Sequence, residues 1–316
     1  VQNQTSPLIL SFGAADPAGA MGVQADLAAF SALSCTGLAV TTALLIGDSA
    51  RVEDLQDIDP DWVADQARVL LEDMTMAAFK VGAITNLEQV AAIAEILSDY
   101  PDAPLILDPF SSRLPALPDD DAEELLTAIR QLLVPQATLL MLSQVELGRL
   151  AETWRESGDV GEPGESGEAA ASGADADADS DADADADADV VMVEDTLESD
   201  VEHLLALGCE FVLVTGTPSG APGENGGPNT LANTLFGADG VISHDAWQHL
   251  TGPFIGAGGT LSAALTAFMA RGADVPEAVA AAQEYTVGAL AHAQRYGMGK
   301  FVPNRFFHLQ SAADMQ

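Results

Sequence analysis

Short, almost wholly apolar runs alternate with segments of helical period along the chain, and this alternation narrows the available folds more than any other feature. Leu8–Phe12, Leu38–Leu45, Ala77–Val81, Pro104–Leu107, Thr138–Leu142 and Glu210–Val214 read as strands. They show no regular apolar–polar alternation, so both of their faces are covered. Helices are expected at 23–30, 61–72, 87–98, 122–133, 144–154, 197–207, 261–270 and 276–293, with a weaker strand pair at 231–236 and 241–243. Strands interleaved with helices imply an α/β fold with a mainly parallel central sheet and helices on both faces. Ligands of such sheets bind beyond the carboxyl ends of the strands. Those ends carry Asp16, Gly47, Ala83, Asp108, Ser143 and Gly216.

One tract stands outside this pattern. Residues 157–189 are Gly, Glu, Ala and Asp with almost no apolar content, ending in an Ala-Asp alternation from Ala174. The period of two imitates a strand, but Asp is a poor strand former and the like charges repel. A disordered surface insert joining two helices of a single domain spanning 1–316 is the expectation.

Near the C-terminal end a glycine-dense turn, Thr251-Gly-Pro-Phe-Ile-Gly-Ala-Gly-Gly-Thr260, runs into a helical segment with Leu261, Leu265, Phe268 and Met269 at helical spacing. Glycines at such a junction let backbone N–H groups converge, and a helix N-terminus adds partial positive charge. The turn is either an anion site, with a phosphate as the natural ligand, or a tight entry into a core helix. Gly220–Gly227 is rich in glycine and proline and reads as a flexible loop. The five histidines lack ligand-like spacing, and no dinucleotide fingerprint, P-loop or nucleophile elbow occurs.

Ala14-Ala-Asp-Pro-Ala-Gly-Ala-Met-Gly-Val-Gln-Ala-Asp26 resembles the G-[ST]-D-P-S-G-G-A-G-[IL]-Q-A-D signature of the hydroxymethylpyrimidine/phosphomethylpyrimidine kinases of thiamin synthesis, in the ribokinase-like superfamily. Thr42–Leu45, Lys80-Val-Gly82, Leu107-Asp-Pro109 and Thr260-Leu-Ser-Ala-Ala264 are similar to later motifs of that family, in the same order. Gly299-Lys-Phe-Val-Pro303 resembles the tail of a bacterial subgroup. The resemblance implies transfer of the γ-phosphoryl group of ATP, with Mg²⁺, to a hydroxymethyl heterocycle, and allows a homodimer. Gly256, Ala257, Gly258 and Gly259 would form a backbone anion hole. Ala14, Asp16, Gly19, Met21, Asp26, Gly47, Ala83 and Phe110 would contact the substrate. Asp108, Ser143, Thr215, Gly216 and Thr260 would meet the nucleotide. Glu146 would hold the metal directly or through water, or else serve only as a first-turn helix residue favoured by the dipole. Asp26 has a solvent-facing alternative.

Several positions depart from the family's pattern. Gly259 stands where the family has a reactive Cys, Gly47 where it has a ring-contacting Gln, Ala83 where it has a Met, and Ser143 where it has an Asn. The loop Phe110–Pro118 replaces a glycine-containing one. Two alternatives to the pyrimidine kinase therefore stand: a homologue without catalysis that binds a ligand or partner, and a sibling kinase for another ring such as pyridoxal.

The net charge of −38, with Lys80 and Lys300 the only lysines, argues against nucleic acid and anionic membranes as partners and is read as adaptation to high salt. Val1–Pro7 is polar and without the pattern of a signal peptide, and no run reaches the roughly 18 apolar residues that span a bilayer. With Cys35 and Cys209 far apart, a cytoplasmic protein with buried thiols is the expectation, the alternative being one disulfide. Deleting 157–189 is expected to leave cooperative unfolding intact and the melting temperature within about 5 °C. Loss of cooperative unfolding in calorimetry would contradict the reading of this tract as an insert.

Overall fold

The computed structural model describes residues 6–110, 114–115, 117–155, 194–219, 230–247, 250 and 252–310. The acidic tract 157–189 and the segment Gly220–Gly227 lie outside them. The first element pair sets the architecture. β1 (Leu8–Ala15) leads through a small-residue loop into α1 (Gly22–Ala32), and β2 (Thr36–Gly47) returns parallel to β1. β3 (Val52–Asp57) pairs antiparallel with β2, and α2 (Pro60–Asp73), β4 (Ala78–Val81), α3 (Leu87–Ser98) and β5 (Leu105–Leu107) follow. The chain continues through α4 (Asp119–Ala128), β6 (Leu139–Ser143), α5 (Gln144–Arg155), α6 (Glu194–Ala206) and β7 (Phe211–Ser219). It closes with β8 (Thr230–Gly237), β9 (Gly240–Trp247), α7 (Ala257–Ala270), α8 (Val275–Ala291) and the short α9 (Phe307–Gln310).

The sheet order is β3-β2-β1-β4-β5-β6-β7-β8-β9. The five inner pairings, from β2 to β7, are parallel, and the outer ones are antiparallel. Successive residues of the central strands feed opposite cores, as the pleat requires. Leu10, Phe12, Phe79, Val81, Leu105, Leu107, Leu140, Leu142, Val212 and Val214 join one core with residues of α2 to α6. Ile9, Ile106, Leu139, Met141 and Leu213 join the other with α1, α7 and α8. This two-sided burial is the reason the strands read as continuous apolar runs. Cys35 and Cys209 are free and buried in opposite cores, which rules out the disulfide alternative.

Three local expectations need correction. Strand β3 is not among the expected strands; with three carboxylates it carries little apolar signal, as suits a sheet edge. The helix expected at 122–133 starts earlier, at Asp119, and is regular only to Ala128. A π-helical turn at Ile129–Leu133 and a 3₁₀ turn at Val134–Gln136 complete it, and Pro135 ends the pattern. The weak hairpin at 231–236 and 241–243 is a full pair of eight-residue strands.

The helices flanking the acidic tract are fastened to each other. Arg155, in the last turn of α5, donates to both carboxylate oxygens of Asp200 on α6 at 2.7 Å, and Trp154 stacks on His203 at 4.4 Å between ring centroids. On the other side of the sheet, Lys80 of β4 donates to Asp26 of α1 at 3.0 Å, and Ser11 of β1 donates to the same oxygen at 2.7 Å. Both charged residues are at most 3% exposed, so each charge depends on the other. No described helix is long and apolar enough to cross a membrane.

Removing one partner of a buried ion pair strands the other. Lys80→Met is therefore expected to lower stability by about 3–5 kcal/mol. Adding Asp26→Asn should return about half of that loss in denaturant titrations. A single variant as stable as the wild type would show that the pair carries no structural role.

Candidate active site

The carboxyl ends of the parallel strands converge on the start of α7. Gly256 is the N-cap residue, in the left-handed region at φ 83°, and a Cβ there would sit 2.0 Å from the carbonyl oxygen of Ala20. Only glycine permits this approach. The first intrahelical bond runs from Thr260 N to Gly256 O at 3.0 Å, and the Thr260 hydroxyl donates to the same carbonyl at 2.7 Å. The N–H groups of Ala257, Gly258 and Gly259 precede that bond, and no side chain caps them. A Cβ on Gly258 or Gly259 would meet nothing within 4 Å, so this turn borders open space. Three convergent donors at a helix N-terminus can receive an anion.

Asp108, just past β5, accepts the Ser262 hydroxyl of α7 at 2.6 Å, which ties the second turn of α7 to the sheet. Loss of solvation raises the Asp108 pKa to about 7; Lys80 and the Ser262 bond lower it, while the carboxylates of Glu146 and Asp26 raise it further. Ser143 ends β6 beside Thr215 of β7, and Gly216 takes φ 74° at the bulge that follows. Asp108 and Ser143 thus lie at the ends of β5 and β6, beside the Thr215–Gly216 bulge where the parallel part of β7 stops. Thr260 is fully buried, so its hydroxyl serves the turn itself and not a ligand.

Glu146 accepts the Ser143 N–H at 2.7 Å, and its own N–H donates to the Ser143 hydroxyl at 3.3 Å. This reciprocal capping box fixes the start of α5. It leaves Glu146 near enough to Asp108 for the two carboxylates to repel. No group of three His, Cys, Asp or Glu that could hold a metal occurs among the described residues. Two carboxylates that penalise each other's charge do suit Mg²⁺, which takes one or two carboxylates and completes its shell with phosphates and water.

The loop after β1 is organised from within. Asp16 is 4% exposed, and its carboxylate accepts the N–H groups of Ala18, Ala20 and Met21, each at 2.9 Å. These three bonds shape the loop, Oδ2 taking two of them and Oδ1 one. Gly19 and Gly22 have positive φ, and a Cβ on Gly22 would lie 2.1 Å from the carbonyl oxygen of Ala14. Met21 is half-buried and packs against two small cores, one containing Ala14, Ala43 and Leu45, the other Ala20, Ile255 and Val302. Asp26 is a correction: it faces neither substrate nor solvent but is 2% exposed beneath the site, held by Lys80 and Ser11.

Gly47 ends β2 at a register shift, where a Cβ would come 2.7 Å from the carbonyl oxygen of Arg51. The hairpin therefore excludes any side chain at this position without moving its backbone. Ala83 is half-buried two residues past β4, and Phe110 packs against the core shared by α2 to α6.

Sequence reasoning missed Lys80, Ser262 and Arg305 as site supports. Lys80 had a signal, a lysine between Phe79 and Val81 in an apolar strand. Arg305 had none. It is 4% exposed and donates to the carbonyl oxygens of Ala20 at 2.8 Å and Gly19 at 3.4 Å, from the far end of the chain.

Residues 16–166 and 186–304 match the phosphomethylpyrimidine kinase family. Among curated relatives, the hydroxymethylpyrimidine/phosphomethylpyrimidine kinase of Escherichia coli is 28% identical over 303 residues, covering 95% of this chain and 97% of its own. That of Streptomyces coelicolor is 29% identical, covering 90% and 89%. Among solved structures, a pyridoxal kinase from Bacillus subtilis in an ADP complex superposes with a TM-score of 0.72 at 21% identity, over 96% of this chain and 99% of that one. A phosphomethylpyrimidine kinase from Clostridium difficile gives 0.63 at 23%, over 90% and 100%. These two likenesses show a ribokinase-like fold.

The raised pKa of Asp108 makes a signed prediction for the metal-free protein. A carboxyl whose folded pKa lies above its unfolded value contributes stability that is complete below the unfolded pKa and is lost as pH rises through about 7. Asp108→Asn should therefore gain about 2–3 kcal/mol relative to wild type on going from pH 5 to pH 8. A stability difference that stays constant across that window would contradict the assignment.

Proposed function

Since the chain belongs to the phosphomethylpyrimidine kinase family, we propose that it transfers the γ-phosphoryl group of ATP to the hydroxymethyl oxygen of hydroxymethylpyrimidine, and then to the resulting monophosphate. The observation that carries this reading is the uncapped glycine turn of α7, open to solvent and tied through Ser262 to Asp108. Phosphoryl transfer depends mainly on positioning and electrostatic stabilisation. The N–H groups of Ala257, Gly258 and Gly259 hold the transferred group, and the helix dipole adds to their effect. The loop Asp16–Met21 and the end of β2 border the substrate ring, while Ser143, Thr215 and Gly216 border the nucleotide. Asp108 and Glu146 would hold Mg²⁺, which neutralises phosphate charge when bound.

Gly259 leaves no thiol to receive the substrate's proton. Loss of such a group typically costs about 10²–10⁴ in rate, so a slow enzyme is the consequence. Gly47 favours a second reading of the substrate alone. Because the hairpin backbone blocks a side chain there, ring recognition differs from that of relatives with Gln, and a pyridoxal-like ring is the alternative acceptor.

The test is coupled ADP release in molar KCl, with hydroxymethylpyrimidine, its monophosphate and pyridoxal as acceptors. Turnover with a pyrimidine acceptor is the expected outcome. Gly259→Cys, which has room for its Cβ, should raise kcat by roughly 10-fold or more. Folded protein with no acceptor-dependent ADP release would overturn the kinase reading in favour of a ligand-binding homologue without catalysis.

A further inference from the structure

Arg305 is a buried cation with no ion pair among the described residues. Desolvation lowers its pKa, and the carboxylates of Asp26 and Asp16 offset this only from beyond ion-pair distance, so an apolar side chain would fill such a position more cheaply. Its fork is instead spent on backbone: one terminal nitrogen donates to Ala20 O at 2.8 Å, and the other to Gly19 O at 3.4 Å. The nitrogen that reaches Ala20 also lies 3.1 Å from where a Cβ on Gly256 would stand. Arg305 therefore sits at the junction of two parts of the proposed site, the loop after β1 and the glycine turn of α7.

The residues around it reinforce that junction. The N–H donors of Ala18, Ala20 and Met21 are committed to Asp16, so Arg305 grips the loop by the acceptors on its other side. Ala20, Ile255 and Val302 pack into one small core. Ile255 N donates to Phe301 O at 3.0 Å, and Phe301 N to Pro253 O at 2.8 Å, so the tail and the approach to α7 run together. Tyr285 of α8 in turn donates its hydroxyl to the carbonyl oxygen of Arg305 at 2.6 Å.

We propose that Arg305 is a positioning residue that fixes the substrate loop Asp16–Met21 against the α7 glycine turn, and so sets the alignment of the acceptor hydroxyl with the phosphoryl group. This rests on the kinase reading above. Arg305 makes no hydrogen bond to Asp108, Ser143, Thr215 or Gly216, and it meets the nucleotide side only behind the glycine turn. Its loss therefore falls on acceptor binding and catalysis far more than on nucleotide binding.

The experiment compares Arg305→Met and Arg305→Lys with wild type in the coupled assay, with fluorescence titration of an ATP analogue alongside. Arg305→Met should raise the acceptor KM about 10-fold and lower kcat about 10²-fold, the scale of a misplacement near 1 Å, with nucleotide affinity within about twofold. Arg305→Lys keeps one donor for Ala20 O and should recover at least about 10-fold in kcat over the Met variant. Nucleotide and acceptor affinities falling together, or Lys performing no better than Met, would overturn the proposal. Should Arg305→Met not fold, Arg305→Lys decides on the same split between acceptor and nucleotide. If wild type itself shows no turnover, the kinase reading fails separately. Arg305 is then judged by calorimetric binding of hydroxymethylpyrimidine and pyridoxal, where affinity unchanged in the variants overturns its role.

Discussion

The contact of Gly256 with the carbonyl of Ala20 is the constraint on which the candidate site depends. It brings the first loop of the chain to the start of a helix more than two hundred residues later, at a separation no side chain could share. Around it, each supporting interaction fixes backbone. Asp16 gathers three N–H groups, Thr260 returns to the Gly256 carbonyl, Arg305 takes two carbonyls, and Ser262 anchors the helix to Asp108. The groups left facing open space are the peptide donors of the glycine turn. An anion held there is recognised by peptide geometry, and the side chains act from behind it.

On the proposed reading, that arrangement explains how a phosphate site can persist while the positions proposed to meet the ring differ from the family's pattern. Gly259 faces open space, so its missing side chain is a local loss. Gly47 differs in kind, because the adjacent Arg51 carbonyl occupies the volume a side chain would need. Electrostatics separates along similar lines. A chain of net charge −38 repels an anionic nucleotide from afar, but this repulsion is screened within about 10 Å at 0.1 M salt. Inside that distance, Arg305 and the dipole of α7 are set against the carboxylates of Asp16, Asp108 and Glu146, while Lys80 and Asp26 offset each other.

Most of the fold was legible because the central strands are buried on both faces, which leaves continuous apolar runs at regular spacing. β3 was not legible, since an edge strand with Glu53, Asp54 and Asp57 buries too little to leave a pattern. The π-helical turn was masked because Ile129, Leu132 and Leu133 continue a helical-looking apolar series. Asp26 could have been placed better: it lies on the same helical face as Val23 and Phe30, which marks it as buried. Its partner could not be named from sequence, because pairing α1 with β4 needs the sheet order. Arg305 was beyond reach for the same reason, its partners lying some 285 residues away.

The fastening between α5 and α6 has a consequence for how the chain can vary. Where the two ends of an insertion are held together by the folded state, as the Arg155–Asp200 and Trp154–His203 contacts hold these helices, added length enters only through the entropy of closing a loop. That term grows logarithmically, by about 0.6 kcal/mol for each doubling. If the tract between them is the insert expected from the sequence, the junction would be a port at which the chain gains or loses flexible sequence at nearly constant thermodynamic cost. Charge entered at such a port would change the net charge of the protein without touching the packing that shapes the site.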